Sequence, residues 1–117
     1  MFLADTSVWI EHFRRSRLDL ADRLSDGLVL MHPAVSGELA CGNLKDRAAI
    51  LSDLAALPMV TPATDSEVLH LIESRRLWGR GLGWVDVHLL ASALLSRCRF
   101  WTLDKRLEHV AAGLGLT

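Results

Sequence analysis

Phe2-Leu3-Ala4-Asp5, running straight into Thr6-Ser7-Val8-Trp9, is the stretch from which the fold can be read. A short apolar run that ends on a carboxylate reads as a buried strand. Val8, Trp9, His12 and Phe13 then recur at helical spacing. A strand that feeds a helix at once is the opening half of a crossover unit, and crossover units build parallel sheets.

Working outward, the same alternation repeats. Leu18, Leu20, Ala21 and Leu24 form an amphipathic segment that stops at Asp26-Gly27. Leu28 to Met31 is a second strand candidate, and Pro33 sits where a helix's first turn tolerates it. That helix carries Val35, Glu38 and Leu39 and stops near Gly42-Asn43. Asp46 to Leu57 is helical up to Pro58, and Met59-Val60-Thr61 is a third strand candidate. Thr64-Asp65-Ser66-Glu67 has the form of a capping box opening a helix through Leu77. Trp78-Gly-Arg-Gly-Leu-Gly-Trp84 is a loop, Val85 to Cys98 an apolar helix, Phe100 to Leu103 a buried strand, and Lys105 to Leu114 a last helix. Helices on both faces of a parallel sheet follow, within one domain over residues 1–117. In such sheets ligands bind beyond the carboxyl ends of the strands, where strand order reverses.

Composition narrows the classes. A hydrophobic share of 50% with 23% charged residues is too apolar for disorder. No apolar run is long enough for a transmembrane helix, and a carboxylate at position 5 does not suit a signal peptide. Cys41 and Cys98 make neither a disulfide framework nor a metal-ligand spacing, which points to a reducing cytoplasm. Thirteen Lys and Arg stand against 14 Asp and Glu, a balance that by itself speaks against a nucleic-acid partner.

Where the acids sit changes that. Asp5 and Asp104 follow apolar strands, Glu38 lies early on the helix after the second strand, and Asp86 opens the apolar helix. Four carboxylates are thus expected on one edge of the sheet, and like charges crowded together require a cation. Oxygen-only ligands suit Mg²⁺ or Mn²⁺. A second reading stands beside this one: Asp5, Asp86 and Asp104 each precede a helix, where Asp is a favoured N-cap. Glu38 is not explained by a cap: beside Val35 and Leu39 it either points outward or shares a cation. Committing four acids to a metal site leaves 10 against 13 cations, so a polyanionic substrate is not excluded.

Asp5-Thr-Ser-Val-Trp-Ile, Ser36-Gly-Glu38-Leu, Asp86-Val-His-Leu-Leu-Ala-Ser-Ala and Thr102-Leu-Asp104 together resemble the four signature blocks of PIN-domain ribonucleases, in the order and spacing of VapC-type toxins of bacterial toxin–antitoxin systems. The resemblance implies a three-layer α/β/α fold with a mostly parallel sheet of four to five short strands. It implies Asp5, Glu38, Asp86 and Asp104 as the acidic metal-site residues, with Thr6 or Ser7 and Thr102 at supporting hydroxyl positions. It further implies Mg²⁺- or Mn²⁺-dependent endonucleolytic cleavage of RNA, a small VapB-like antitoxin, and homodimers that assemble further with it. Two departures are visible: residues 113–117 are short for the closing strand, and Leu107 stands where an aromatic is common.

Ions held by these carboxylates would activate water for attack on a phosphodiester, with Glu38 binding a second ion or orienting that water. Arg75, Arg76 and Arg80 around the glycine loop, with Lys105 and Arg106 after Asp104, are candidate phosphate contacts, and Trp78 or Trp84 a candidate base platform. Arg75 and Arg76 equally suit a solvated helix end. The five histidines are scattered, with His88 alone near a candidate acid. Two alternatives remain: a metal-dependent phosphatase or phosphotransfer domain using Asp5, against which Ser7 stands where a second Asp is usual, and a non-catalytic binding module of the same fold.

Overall fold

A computed structural model describes residues 1–117. In chain order the elements are β1 (Phe2–Ala4), α1 (Thr6–Arg15), α2 (Leu18–Ser25), β2 (Val29–Leu30), α3 (Pro33–Cys41), α4 (Arg47–Ala55), α5 (Asp65–Arg75), α6 (Trp84–Ser96), β3 (Arg99–Trp101) and α7 (Lys105–Gly113). The three strands are parallel in the order β2-β1-β3. The chain's first strand therefore occupies the centre of the sheet.

Handedness then places the helices. β1 to β2 steps one way across the sheet, and a parallel bridge between Met31 and Met59 continues that step beyond β2. The return to β3 runs the opposite way. Right-handed crossovers in opposite directions put their helices on opposite faces. Contacts agree: α1 packs on α3 and α3 on α4, while α5 packs on α6. The three-layer α/β/α expectation holds.

Strand alternation serves both layers. Phe2, Ala4, Arg99 and Trp101 share one face through the register Phe2↔Arg99 and Ala4↔Trp101. There the Arg23 guanidinium of α2 lies 4.1 Å from the Phe2 ring centroid and 4.3 Å from that of Trp101. Leu3 and Phe100 point to the other face and are buried. A cluster of 25 buried apolar residues forms the core, with Leu107 wholly inside it.

The expected strand count of four to five is corrected to three. Met59-Val60-Thr61 lies between Pro58 and Pro62, neither of which donates a ladder hydrogen bond. Only the Met31 N–H to Pro58 carbonyl (2.8 Å) and Val60 N–H to Met31 carbonyl (2.9 Å) bonds form. At the other edge Gly115 turns with φ +75° and Leu116 accepts a single bond from the Phe100 N–H, 2.8 Å, without becoming a strand. The capping box at Thr64 and Glu67 forms as expected. No helix is long and apolar enough to cross a membrane.

Candidate functional site

Strand order reverses between β1 and β3, and Asp5 leaves the end of one while Thr102 leaves the end of the other. The Asp5 N–H bonds the Trp101 carbonyl at 2.9 Å, so the two exits are locked side by side. Asp5 is buried, and both its oxygens are engaged. Oδ1 accepts from the Ser7 N–H (3.0 Å), the Ser7 hydroxyl (2.5 Å) and the Val8 N–H (3.4 Å). Oδ2 accepts from the Thr102 hydroxyl at 2.6 Å. Ser7 and Thr102 each do a second job: the Ser7 hydroxyl accepts from the Leu103 N–H, and the Thr102 hydroxyl accepts from the Asp104 N–H, both at 3.0 Å. Two hydroxyls thus tie Asp5 to the segment carrying Asp104.

Glu38 reaches the same edge from α3. Its neighbours Val35 and Leu39 are buried while Glu38 itself is exposed, and its Oε1 accepts from the Thr6 hydroxyl at 2.8 Å. Glu38 also borders a cavity of about 360 Å³ between α1 and the α3–α4 connection, floored by Ile10, Phe13, Leu39 and Ile50. Asp86 is half-buried in the first turn of α6, where its Oδ2 accepts from the Gly83 N–H at 2.9 Å.

The cap reading and the site reading of the aspartates turn out to be compatible. Asp5 caps α1, Asp104 caps α7 through Oδ1 to the N–H groups of Arg106 and Leu107, and Asp86 holds the start of α6. Each cap uses one carboxylate oxygen. Oδ2 of Asp104, Oδ1 of Asp86 and Oε2 of Glu38 have no hydrogen-bond partner in the chain. None of the four acids forms an ion pair: the chain's pairs are Arg15–Glu11, Arg17–Asp19 and His88–Asp65.

The tight four-carboxylate cluster expected above is not formed. No three His, Cys, Asp or Glu side chains are gathered closely enough to hold an ion by themselves, because the aspartates are turned onto their own helix starts and Glu38 onto Thr6. The donor chemistry still fits Mg²⁺ or Mn²⁺. Hard oxygens without a cationic partner remain on Asp104, Asp86 and Glu38, and Mg²⁺ commonly takes one or two carboxylates with water and substrate phosphate completing its shell.

The basic candidates separate. Arg80, Lys105 and Arg106 line one cavity together with His109, which sequence reasoning had set aside. Arg75 and Arg76 end α5 and do not line it; Arg76 is its left-handed C-cap at φ 53°. No sequence signal marks His109 beyond its spacing of four from Lys105. His88 is used structurally, its Nε2 3.1 Å from Asp65 and its ring edge-on to Trp84.

His32 was also missed. It caps α3 by accepting the Ala34 N–H on Nδ1, 2.9 Å, and its buried Nε2 has no partner. Burial pushes its pKa down, and the charge of nearby His88 adds to the shift. The unfolded chain takes up this proton near pH 6.5 while the folded chain resists it. The stabilisation is therefore complete above about pH 6.5 and drains away as pH falls through that value towards the lower folded pKa. Thermal melts across pH 7.5 to 5.5 (about one unit either side of that value) should show a falling Tm, flattened in His32→Asn, which keeps a capping acceptor. Parallel profiles for the two proteins would exclude His32 as the source.

The sequence-to-family comparison agrees with this architecture. The model for the PIN domain matches residues 2–113. The chain therefore belongs to the PIN-domain family, and to its VapC-type branch. Among curated proteins it is similar to Ribonuclease VapC32 of Mycobacterium tuberculosis, in strains CDC 1551 / Oshkosh and ATCC 25618 / H37Rv. Each is 49% identical over 117 residues, covering 99% of this chain and 94% of the relative.

Proposed function

We propose that residues 1–117 form one PIN domain that is a Mg²⁺- or Mn²⁺-dependent endoribonuclease toxin, hydrolysing RNA by attack of water on a phosphodiester. The observation that carries this reading is the linked edge at the strand-order reversal, where Asp5 is tied through Ser7 and Thr102 to the segment bearing Asp104. The kinship with a protein named as a ribonuclease supports the choice of reaction and substrate.

Asp5, Asp86, Asp104 and Glu38 would hold the divalent ion. When bound, such an ion acidifies its water and neutralises charge developing on the phosphate. The Ser7 and Thr102 hydroxyls and two backbone N–H groups hold the Asp5 carboxylate in place and fix the direction of its second oxygen. Glu38, steadied by Thr6, orients the attacking water and can take its proton. Arg80, Lys105 and Arg106 grip the phosphate backbone. Arg75 and Arg76 end α5 and do not line the cavity of those three cations, so they are taken as a solvated helix end with no part in the grip.

The toxin role carries a partner with it. Beside Glu38 the 360 Å³ cavity adjoins another of about 400 Å³ through shared Phe13 and Ile50. That second cavity is lined by Trp9, whose buried indole N–H has no acceptor. An apolar groove that runs to the acidic edge suits a segment of a small VapB-like antitoxin. Homodimerisation and a cytoplasmic setting complete this reading.

Total RNA incubated with the inhibitor-free protein should be cleaved with Mn²⁺ and left intact with EDTA, and Asp86→Asn should lose most of the activity. Millimolar Mg²⁺ or Mn²⁺ should raise the melting temperature of the parent protein by binding the folded state. RNA cleaved equally well with EDTA, together with a flat thermal response, would overturn the metal-dependent reading.

A further inference from the structure

The cavity of about 400 Å³ beside the acidic edge draws its basic groups from two elements. Arg80 comes from the glycine loop, and Lys105, Arg106 and His109 from the first two turns of α7. Lys105 and Arg106 directly follow Asp104, so the cavity adjoins the helix start that Asp104 caps. None of the three permanent cations has a carboxylate within ion-pair distance, since all the chain's ion pairs lie elsewhere. Like charges gathered without a counter-charge make a local positive potential that an anion relieves.

The loop is shaped around one of these cations. Gly81, at φ +78°, lies under the Arg106 side chain: a Cβ there would stand 2.7 Å from Nη1 and 3.3 Å from Cδ. Any side chain at position 81 therefore displaces the guanidinium. Two residues before Arg80, Trp78 is 58% exposed, an aromatic face free for an unpaired base.

We propose that this cavity is a phosphodiester subsite for single-stranded RNA. It holds a phosphate neighbouring the one that is cleaved, with Arg80, Lys105 and Arg106 as contacts, His109 closing the wall, and Gly81 positioning Arg106. The proposal rests on the ribonuclease reading for its substrate, and it assigns the grip to these groups and not to Arg75 or Arg76. A guanidinium meets a phosphate with two parallel N–H groups, which makes Arg106 the contact that orients the strand.

Binding without turnover tests it. A labelled single-stranded oligoribonucleotide is titrated onto the full chain in EDTA over a series of salt concentrations. Arg106→Ala should weaken binding about tenfold and lower the slope of log affinity against log salt by about 0.7, the value for one single-strand phosphate contact. Gly81→Ala should weaken binding similarly and add little on top of Arg106→Ala, whereas Arg76→Ala should change neither quantity. Arg106 is exposed, so its variant is expected to melt with the parent protein, and that melt is the folding control. Absence of binding by the parent, unchanged affinity and slope in Arg106→Ala, or full additivity of the Gly81 and Arg106 changes would overturn the subsite. Cleavage with Mn²⁺ is read separately: RNA bound through Arg106 but never cut would fault the ribonuclease reading and leave the subsite standing.

Discussion

Asp5→Asn is expected to lower RNA cleavage by about 10²–10³-fold, the scale on which removal of one preorganised electrostatic group acts. The substitution is nearly isosteric, and Asn remains a competent N-cap, so Oδ1 can still accept from the Ser7 and Val8 N–H groups and α1 should keep its start. What is lost is the charge and the character of the second oxygen. An amide NH₂ would face the Thr102 hydroxyl, which now donates to Asp5 while accepting from the Asp104 N–H. That hydroxyl would have to reverse its proton, loosening the segment that carries Asp104. Initial rates with Mn²⁺, beside circular dichroism of both proteins, measure the effect. A variant that cleaves at the parent rate would show that the Asp5 charge takes no part in the chemistry.

Thr102→Val should act first on stability. Valine fills the same space, and Thr102 is buried, so no cavity is opened. Its hydroxyl, however, serves two groups at once. Its loss leaves Asp5 Oδ2 without a protein donor and the Asp104 N–H without its acceptor, at a cost of about 3 kcal/mol. For a chain of this size that lowers Tm by about 10 °C. Chemical denaturation should show a shifted midpoint at unchanged slope, and cleavage by the folded fraction should also fall because Asp104 is less well placed. An unfolding free energy within 0.5 kcal/mol of the parent (about the spread of ordinary surface changes) would mean that water replaces the hydroxyl.

Local signals made the helix starts readable. Asp5, Pro33, Thr64 with Glu67, and Asp104 are groups whose chemistry acts within three residues of themselves, and each stands at a helix start in the structure. Central β1 and its neighbour β3 were readable because Phe2-Leu3-Ala4 and Phe100-Trp101 are short apolar runs that end on a polar residue, Asp5 and Thr102. The extra strands were over-read, since Met59 to Thr61 has strand composition but is hemmed by prolines. At the edge, the role of Glu38 could be suspected from its place beside Val35 and Leu39, but its bond to Thr6 is a contact across 32 residues that no local pattern reveals. The same limit hid the orphaned Nε2 of His32, the Arg106 side chain over Gly81 and the place of His109 in the basic cavity. The aspartates were seen as either caps or site residues because a sequence does not say which oxygen points where; two oxygens per carboxylate allow both.

The placement of the first strand at the centre of the sheet has a consequence for synthesis. β1 emerges early, yet it pairs with β3 only after residues 99–101 have been made, and Asp5 meets Thr102 across a separation of 97 residues. Contacts so distant along the chain form late and slow folding. A partly translated chain therefore lacks one wall of its acidic edge whatever its helices are doing. The acidic edge is completed only once residues 99–104 have left the ribosome, and a binding partner present before then would meet a protein not yet able to cut.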